Sequence, residues 1–238
     1  MILHRPRHRL GISTTINGPG YYFAADLVKD GWPTSTITED IDLSFSFVER
    51  GVRIGFCEDA EFYDEQPTKI KQSMRQKLRW GKGYLQNFKK HFCKLIKRMF
   101  TSKSNKKEKW SDVASCYDMS VQVFPTSLIN WLLLLAFRFL LILGVVLSWT
   151  NNTILALLIS WGISFLVSWF GTMGTALLVM LRERKHIKIS FIKALWYAFM
   201  FPTYDRVWKY VLFIGLFKKV EWKPIEHKES ISIEDVKR

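Results

Sequence analysis

Two long apolar runs, residues 127–149 and 154–181, do most to constrain what this chain can fold into. The hydrocarbon core of a bilayer is crossed by about 20 consecutive helical residues. The first run matches that length and the second exceeds it. Asn151-Asn152 predicts the turn between them. Basic residues precede the first run, and Arg182-Glu-Arg-Lys-His-Ile-Lys188 follows the second, which places both flanks in the cytosol. Arg138 falls near the middle of the first run, where an unsatisfied guanidinium costs at least about 2.5 kcal/mol. It is expected to face a bundle interior or a polar path, to snorkel, or to pair with a further helix. A third apolar stretch, 190–217, is interrupted by Pro202, Asp205, Arg206 and Lys209. It reads as a kinked span or a helical hairpin, and Lys218-Lys219 favour the hairpin.

The remainder is of a different kind. The chain is 48% hydrophobic with a net charge of +14, yet residues 1–120 are charged and punctuated by turns while 127–217 are largely apolar. A basic segment beside apolar spans suits an anionic membrane surface, and no nucleic-acid recognition motif accompanies the charge. Cys57, Cys93 and Cys116 form no Cys-x-x-Cys pair and read as reduced thiols on the cytosolic side. The opening Met1-Ile-Leu-His-Arg-Pro-Arg-His-Arg9 has no apolar core and is not read as a signal peptide. From Tyr84 to Phe100, apolar residues recur in steps of three and four, with Lys89, Lys90, Lys94, Lys97 and Arg98 on the other side. That predicts a basic amphipathic helix in the headgroup plane, or else one packed on the soluble part. Residues 101–109 read as a Lys-rich linker.

Within the soluble half, Asn17-Gly-Pro-Gly20 is a turn-rich loop. Thr38 is placed to cap a helix carrying Glu39, Asp40 and Asp42 in its first turn, with Ile41, Phe45 and Val48 on one side and Gly51 as its stop. Carboxylates there complement the helix dipole for at most about 1 kcal/mol. One of them could instead serve as a general base. Val52-Arg-Ile-Gly-Phe-Cys57 predicts a strand and Ala60-Glu-Phe-Tyr63 a second, so the half reads as part of an α/β layer. No Gly-rich phosphate loop opens it, and no Asp-x-Asp follows a strand. Thr68 is expected to start a helix running to about Gly81. On it Gln76, Arg79 and Trp80, spaced i, i+3 and i+4, share a face. Arg can grip a diphosphate bidentately, Gln can donate beside it, and Trp offers a flat plate to a sugar ring. An ordinary amphipathic helix would carry the same triplet.

Thr38-Glu39-Asp40 followed by Gln76-Lys-Leu-Arg79-Trp80 resembles the TED…QxxRW signature of family 2 membrane glycosyltransferases. These include processive poly-N-acetylglucosamine, hyaluronan, chitin and cellulose synthases. Asn17-Gly-Pro-Gly20, Asp42-Leu43-Ser44, Arg79-Trp-Gly-Lys-Gly83 and Trp222-Lys-Pro-Ile-Glu-His227 are similar in order and spacing.

The resemblance implies an α/β region, the acceptor-side half of a GT-A-like glycosyltransferase domain, followed by an all-α transmembrane region. The expected parts are residues 1–83 (catalytic half), 84–109 (interfacial helix and linker), 110–217 (membrane helices) and 218–238 (cytosolic tail). It implies an inverting, processive transferase moving hexose or N-acetylhexosamine from a nucleotide sugar, such as a UDP-sugar, to a growing polysaccharide. The alternatives are single addition to a lipid-linked acceptor, or an inactive membrane fragment or subunit. Asp40 would be the base. Gln76 and Arg79 would hold the donor diphosphate, and Trp80, with Asn17, Gly18 and Glu39, would border the acceptor. Asp42 is read as a helix-start carboxylate. Family members carry, ahead of this region, a nucleotide-binding half with an Asp-rich motif for Mg²⁺ or Mn²⁺. No such ligands are seen in this chain, which therefore resembles the C-terminal part of such an enzyme. The expected setting is a bacterial-type plasma membrane, with lipids as partners, no nucleic acid, and the catalytic part in the cytosol.

Overall fold

The structure is a computed structural model, and it describes residues 4–60, 64, 66–101, 106–148, 151–184 and 189–220. Its helices are α1 (His4–Arg9), α2 (Glu39–Glu49), α3 (Ile70–Thr101), α4 (Lys106–Val123), α5 (Thr126–Ser148), α6 (Asn151–Arg182) and α7 (Phe191–Phe217), with a 3-10 turn at Ala25–Val28. The chain divides into two compact units, Met1–Pro125 with Val211–Arg238, and Thr126–Tyr210. Of the expected tail, residues 221–238, including the Trp222 to His227 stretch, lie outside the described residues.

The expected α/β layer is not what forms: there is no strand among the described residues, so this is not a GT-A-like α/β domain. The chain runs of a would-be sheet are present, since Thr14 N–H donates to Ile54 O at 2.9 Å. The ladder stops there because hydroxyls take its next rungs. Ile54 N–H donates to Ser13 Oγ at 2.9 Å, Ile16 N–H to Ser44 Oγ at 2.8 Å, and Ser13 N–H to Ser115 Oγ at 2.8 Å. Backbone donors must be satisfied when buried, and here hydroxyls, two of them from α2 and α4, satisfy them instead of a partner strand. Val52–Cys57 is therefore irregular, and most of the second expected strand, 61–63, lies outside the described residues.

The first unit is built around α2, whose residues 42–48 are all buried. One side of α2 places Phe45 and Val48 with Leu95, Cys116, Met119 and Val123. Its other side places Leu43 and Phe47 with Ile16, and Phe23, Leu27, Val52 and Ile54 pack on them. Burying each such Leu or Phe stabilises by about 1.5–3 kcal/mol, so α2 is fixed by packing on both sides. Gly51 ends it with φ 78°. Gly51 N–H donates to Val48 O at 3.0 Å and Val52 N–H to Phe47 O at 2.8 Å, the paired bonds of a Schellman cap.

Helix α3 does not stop near Gly81 but continues to Thr101. Its residues Phe88, Phe92 and Met99 pack with Leu95 on the core shared by α2 and α4. The part of this apolar side formed by Phe88, Phe92, Leu95 and Met99 is thus turned to protein, the packed alternative, while Phe100 at its end is exposed. Of the expected linker, 102–105 lie outside the described residues and Lys106–Lys109 open α4.

In the second unit, Thr126–Gly144 and Ile154–Arg182 are long and apolar enough to cross a membrane. Only 6% and 0% of those windows are buried within the protein, whereas a soluble core helix would be mostly buried. Asn151 and Asn152 belong to the first turn of α6 rather than to a turn before it. Helix α7 runs unbroken past Pro202, so residues 191–217 are one helix and not a hairpin. The guanidinium of Arg138 stands 5.0 Å from the ring centre of Trp161, and that of Arg206 stands 4.2 Å from Phe165 and 4.8 Å from Trp169. Cation–π contact offsets part of the cost of these charges among apolar helices.

Candidate functional site

Asp40 lies in the first turn of α2, partly exposed. Its Oδ2 accepts the Gly18 N–H at 2.7 Å and its Oδ1 accepts the Ile41 N–H at 2.9 Å, which fixes the plane of the carboxylate. The Asn17–Gly18 loop is therefore brought against the acidic turn. Asn17 itself is exposed, with its Nδ2 3.1 Å from His4 Nε2, and Glu39 is exposed. Tyr21 carries no sequence signal that singles it out. Burial raises the pKa of its hydroxyl, and the charges of Glu39 and Asp40 raise it further, so the ring sits within reach of their field.

Thr38 occupies the N-cap position but makes no capping bond with its side chain. Its hydroxyl is taken by α3 instead, accepting Asn87 Nδ2–H at 2.9 Å. The approach is very close. A Cβ on Gly83 would fall 2.9 Å from the Cβ of Thr38, so glycine is required for the two helices to meet there. On either side of that crossing, Arg79 donates to Ile37 O at 3.3 Å and Ile37 N–H donates to Gln86 Oε1 at 3.2 Å. The residues before Asp40 thus lie along α3 from Arg79 to Asn87. Gln76 is half-buried and Trp80 is 39% exposed on the same helix. No hydrogen bond joins either of them to the first turn of α2 among the described residues.

Asp42 has a larger part than a helix-start charge. It is fully buried, and its carboxylate accepts from Ser35 N–H (2.8 Å), Thr36 N–H (3.0 Å) and Lys90 Nζ (2.7 and 2.9 Å), with His91 Nε2 at 2.7 Å. Burial works against its charge, but the bonds from His91, Lys90, Ser35 and Thr36 prevail and hold its carboxyl well below the usual range. His91 shows the converse. Burial disfavours its charged form, yet Asp42 and Glu49 outweigh this and raise its pKa above the ordinary 6.5.

These α3 partners left one signal in the sequence. Gly83, Asn87, His91 and Leu95 recur every four residues and are all buried, so they form a single stripe facing α2. Two polar residues on the covered side of an amphipathic helix need partners: His91 finds Asp42 and Glu49 on α2, and the Asn87 amide N–H finds Thr38 just ahead of it.

The resemblance implies Mg²⁺ or Mn²⁺. Among the described residues no group of three or more His, Cys, Asp and Glu side chains is placed to hold a metal ion. Asp42, His91 and Glu49 do cluster, but they face one another, with both imidazole nitrogens engaged. The described residues do not fit a metal, and no step is derived through one.

The chain matches the model of glycosyl transferase family group 2 over residues 5–204, a span that holds every site residue named above. No curated protein and no solved structure gives a significant match. Two apolar helices and an acidic turn braced on α3 lie within the matched span, and the chain belongs to the glycosyl transferase family group 2 and is a glycosyltransferase.

Proposed function

We propose that this glycosyltransferase is inverting and processive. It moves a hexose or N-acetylhexosamine from a nucleotide sugar, a UDP-sugar in the first instance, to a growing polysaccharide at the cytosolic face of a bacterial-type plasma membrane. Asp40 takes the proton of the acceptor hydroxyl as its oxygen bonds to the anomeric carbon and the bond to the diphosphate breaks. Arg79 and Gln76 offset the charge on the departing diphosphate, and Trp80 stacks on the acceptor sugar. Glu39, Asn17 and Gly18 line the acceptor side.

One observation carries this reading: the partly exposed carboxylate of Asp40 is oriented by the Gly18 N–H at 2.7 Å, on a helix braced against the one that bears Arg79. A base contributes only if its geometry is held, and this one is. Arg79 spends one N–H on Ile37 O; a guanidinium has five, so donors remain for a diphosphate. On this reading the QxxRW residues act from α3, the chain corresponds to the C-terminal, acceptor-side part of a family 2 synthase, and the donor's metal is held by a nucleotide-binding half. The test is transfer from labelled UDP-sugars in membranes, with this chain alone and with the chain joined to a donor-binding half. Asp40→Asn is expected to lower transfer by about 10²- to 10⁴-fold while leaving membrane insertion intact. Retained transfer in that variant would remove Asp40 as base. Short products of one added sugar would favour a lipid-linked acceptor. Polymer from this chain alone would overturn the assignment to an acceptor-side part.

A further inference from the structure

We infer that His91 is a positioning residue for Asp40: as an imidazolium it clamps the two ends of α2 to α3. The link to transfer rests on the reading of Asp40 as base; the clamp itself does not.

Asp42 and Glu49 are seven residues apart, close to two helical turns, so they project from the same side of α2. The buried ring of His91 lies between them, with Nε2 2.7 Å from Asp42 Oδ1 and Nδ1 2.6 Å from Glu49 Oε1. An ionised carboxylate can only accept, and a neutral imidazole has one donor and one acceptor nitrogen. A neutral ring would set a lone pair against a carboxylate lone pair at one of these two contacts. Both contacts are bonds only when both nitrogens carry hydrogen. The charges then balance locally, with Asp42 and Glu49 against His91 and Lys90.

Among the described residues no other group nearby replaces that charge. On α3, Lys94 is 3.9 Å from Glu49 and largely exposed. On α4, bordering the same core, the Cys116 thiol is pushed up to about 12 by burial and stays neutral, and Asp112 is engaged by Arg98 at 3.0 Å. The Phe45 ring, 5.5 Å from the imidazole, closes the remaining side.

The clamp reaches Asp40 through Asp42. The 35–36 backbone hangs from the Asp42 carboxylate, and Thr36 Oγ–H donates to Thr38 O at 3.2 Å, so the entry to the acidic turn is tied to the residue His91 holds. Loss of the imidazolium frees the Glu49 end and leaves Asp42 to Lys90 and the loop. Asp40 then loses its fixed placement against Gly18.

The test is nuclear magnetic resonance on the full chain in lipid nanodiscs, with ¹⁵N-labelled histidine and glycine. The His91 ring is expected to be doubly protonated at pH 7. The Gly18 amide, which reports the bond to Asp40, is expected to shift and to exchange at least about tenfold faster as His91 deprotonates at higher pH. Glu49→Gln removes one of the two carboxylates and is expected to move both midpoints down together by about one pH unit or more. It keeps an acceptor for Nδ1–H, so it disturbs the fold less than His91→Gln would. A neutral His91 at pH 7, or a Gly18 amide indifferent to its titration, would overturn the clamp. Neither result depends on catalysis. In transfer assays, Asp40→Asn tests the base separately. If that variant is inactive while the alkaline limb of the wild-type rate does not move in Glu49→Gln, the clamp fails and the base reading stands.

Discussion

Gly83 meets Thr38 so closely that a Cβ on the glycine would lie 2.9 Å from the Cβ of the threonine. This crossing joins the helix bearing Arg79 and Trp80 to the residue that opens the acidic turn. It is held from one side by Asn87 and from the other by Arg79.

Gly83→Ala is expected to separate the two helices and destabilise the first unit by about 1–3 kcal/mol, the usual cost of overpacking. Thr38→Ala in the same chain should recover part of the loss, because the Thr38 hydroxyl and methyl are the atoms an added Cβ would meet first. Thermal unfolding of the single and double variants measures this. Additive losses would show that the two residues do not meet.

Asp42→Ala leaves Lys90 and His91 without their shared carboxylate and is expected to cost about 3–5 kcal/mol. The pair also sets a pH window. The Asp42 pKa is lowered from 3.8 in the fold, so its contribution is present above pH 3.8 and is lost as pH falls through the lowered value. The His91 pKa is raised from 6.5, so its contribution is complete below pH 6.5 and is lost as pH rises through the raised value. Melting temperature plotted against pH is expected to be highest between these limits. In Asp42→Asn the acid-side decline should become shallower.

Arg79→Lys keeps the charge and loses the planar fork. If the guanidinium grips the donor diphosphate, kcat/KM for the UDP-sugar should fall about tenfold or more, and Arg79→Ala further. Full activity in the Arg79→Lys variant would mean that only a diffuse positive charge is needed.

Cys57 and Cys93 are exposed, and Cys116 is buried with its thiol at about 12. A maleimide at neutral pH is expected to modify two thiols in the folded protein and all three after denaturation, read by intact mass. Reaction at Cys116 in the folded state would contradict the packing of α4 on α3.

Where local signals govern, the sequence was a sound guide. Thr38 and Gly51 bracket α2 as read; at Gly51 the signal is local, acting through the neighbouring backbone bonds of the cap, whereas the Thr38 hydroxyl is engaged by α3. The two helices around Leu134 and Leu166 were legible because length and apolar character are read directly from consecutive residues. Gln76, Arg79 and Trp80 fall on one helix at the spacing read for them. The local signal misled at Gly81, which looks like a stop; Gly83 follows it on the same helix. Both are instead places where α3 is closely approached by other parts of the chain, and nothing local reveals an approach from distant residues. Val52–Cys57 has strand composition, but Ser13, Ser44 and Ser115 hydroxyls take the donors that a ladder needs. A strand is a pairing, and pairing is not a local property.

The sequence by itself determined the family, the acidic turn with Asp40, the helix bearing Arg79, and the apolar lengths that suit a bilayer. Each follows from spacing within a short stretch of chain. Only the tertiary structure decided that Asp42 is a buried hub, that His91 on α3 partners α2 and Asn87 the residue before it, and that Phe88, Phe92, Leu95 and Met99 pack on protein. Those outcomes depend on which faces meet, and burial then turns ordinary side chains into charges that must find a partner.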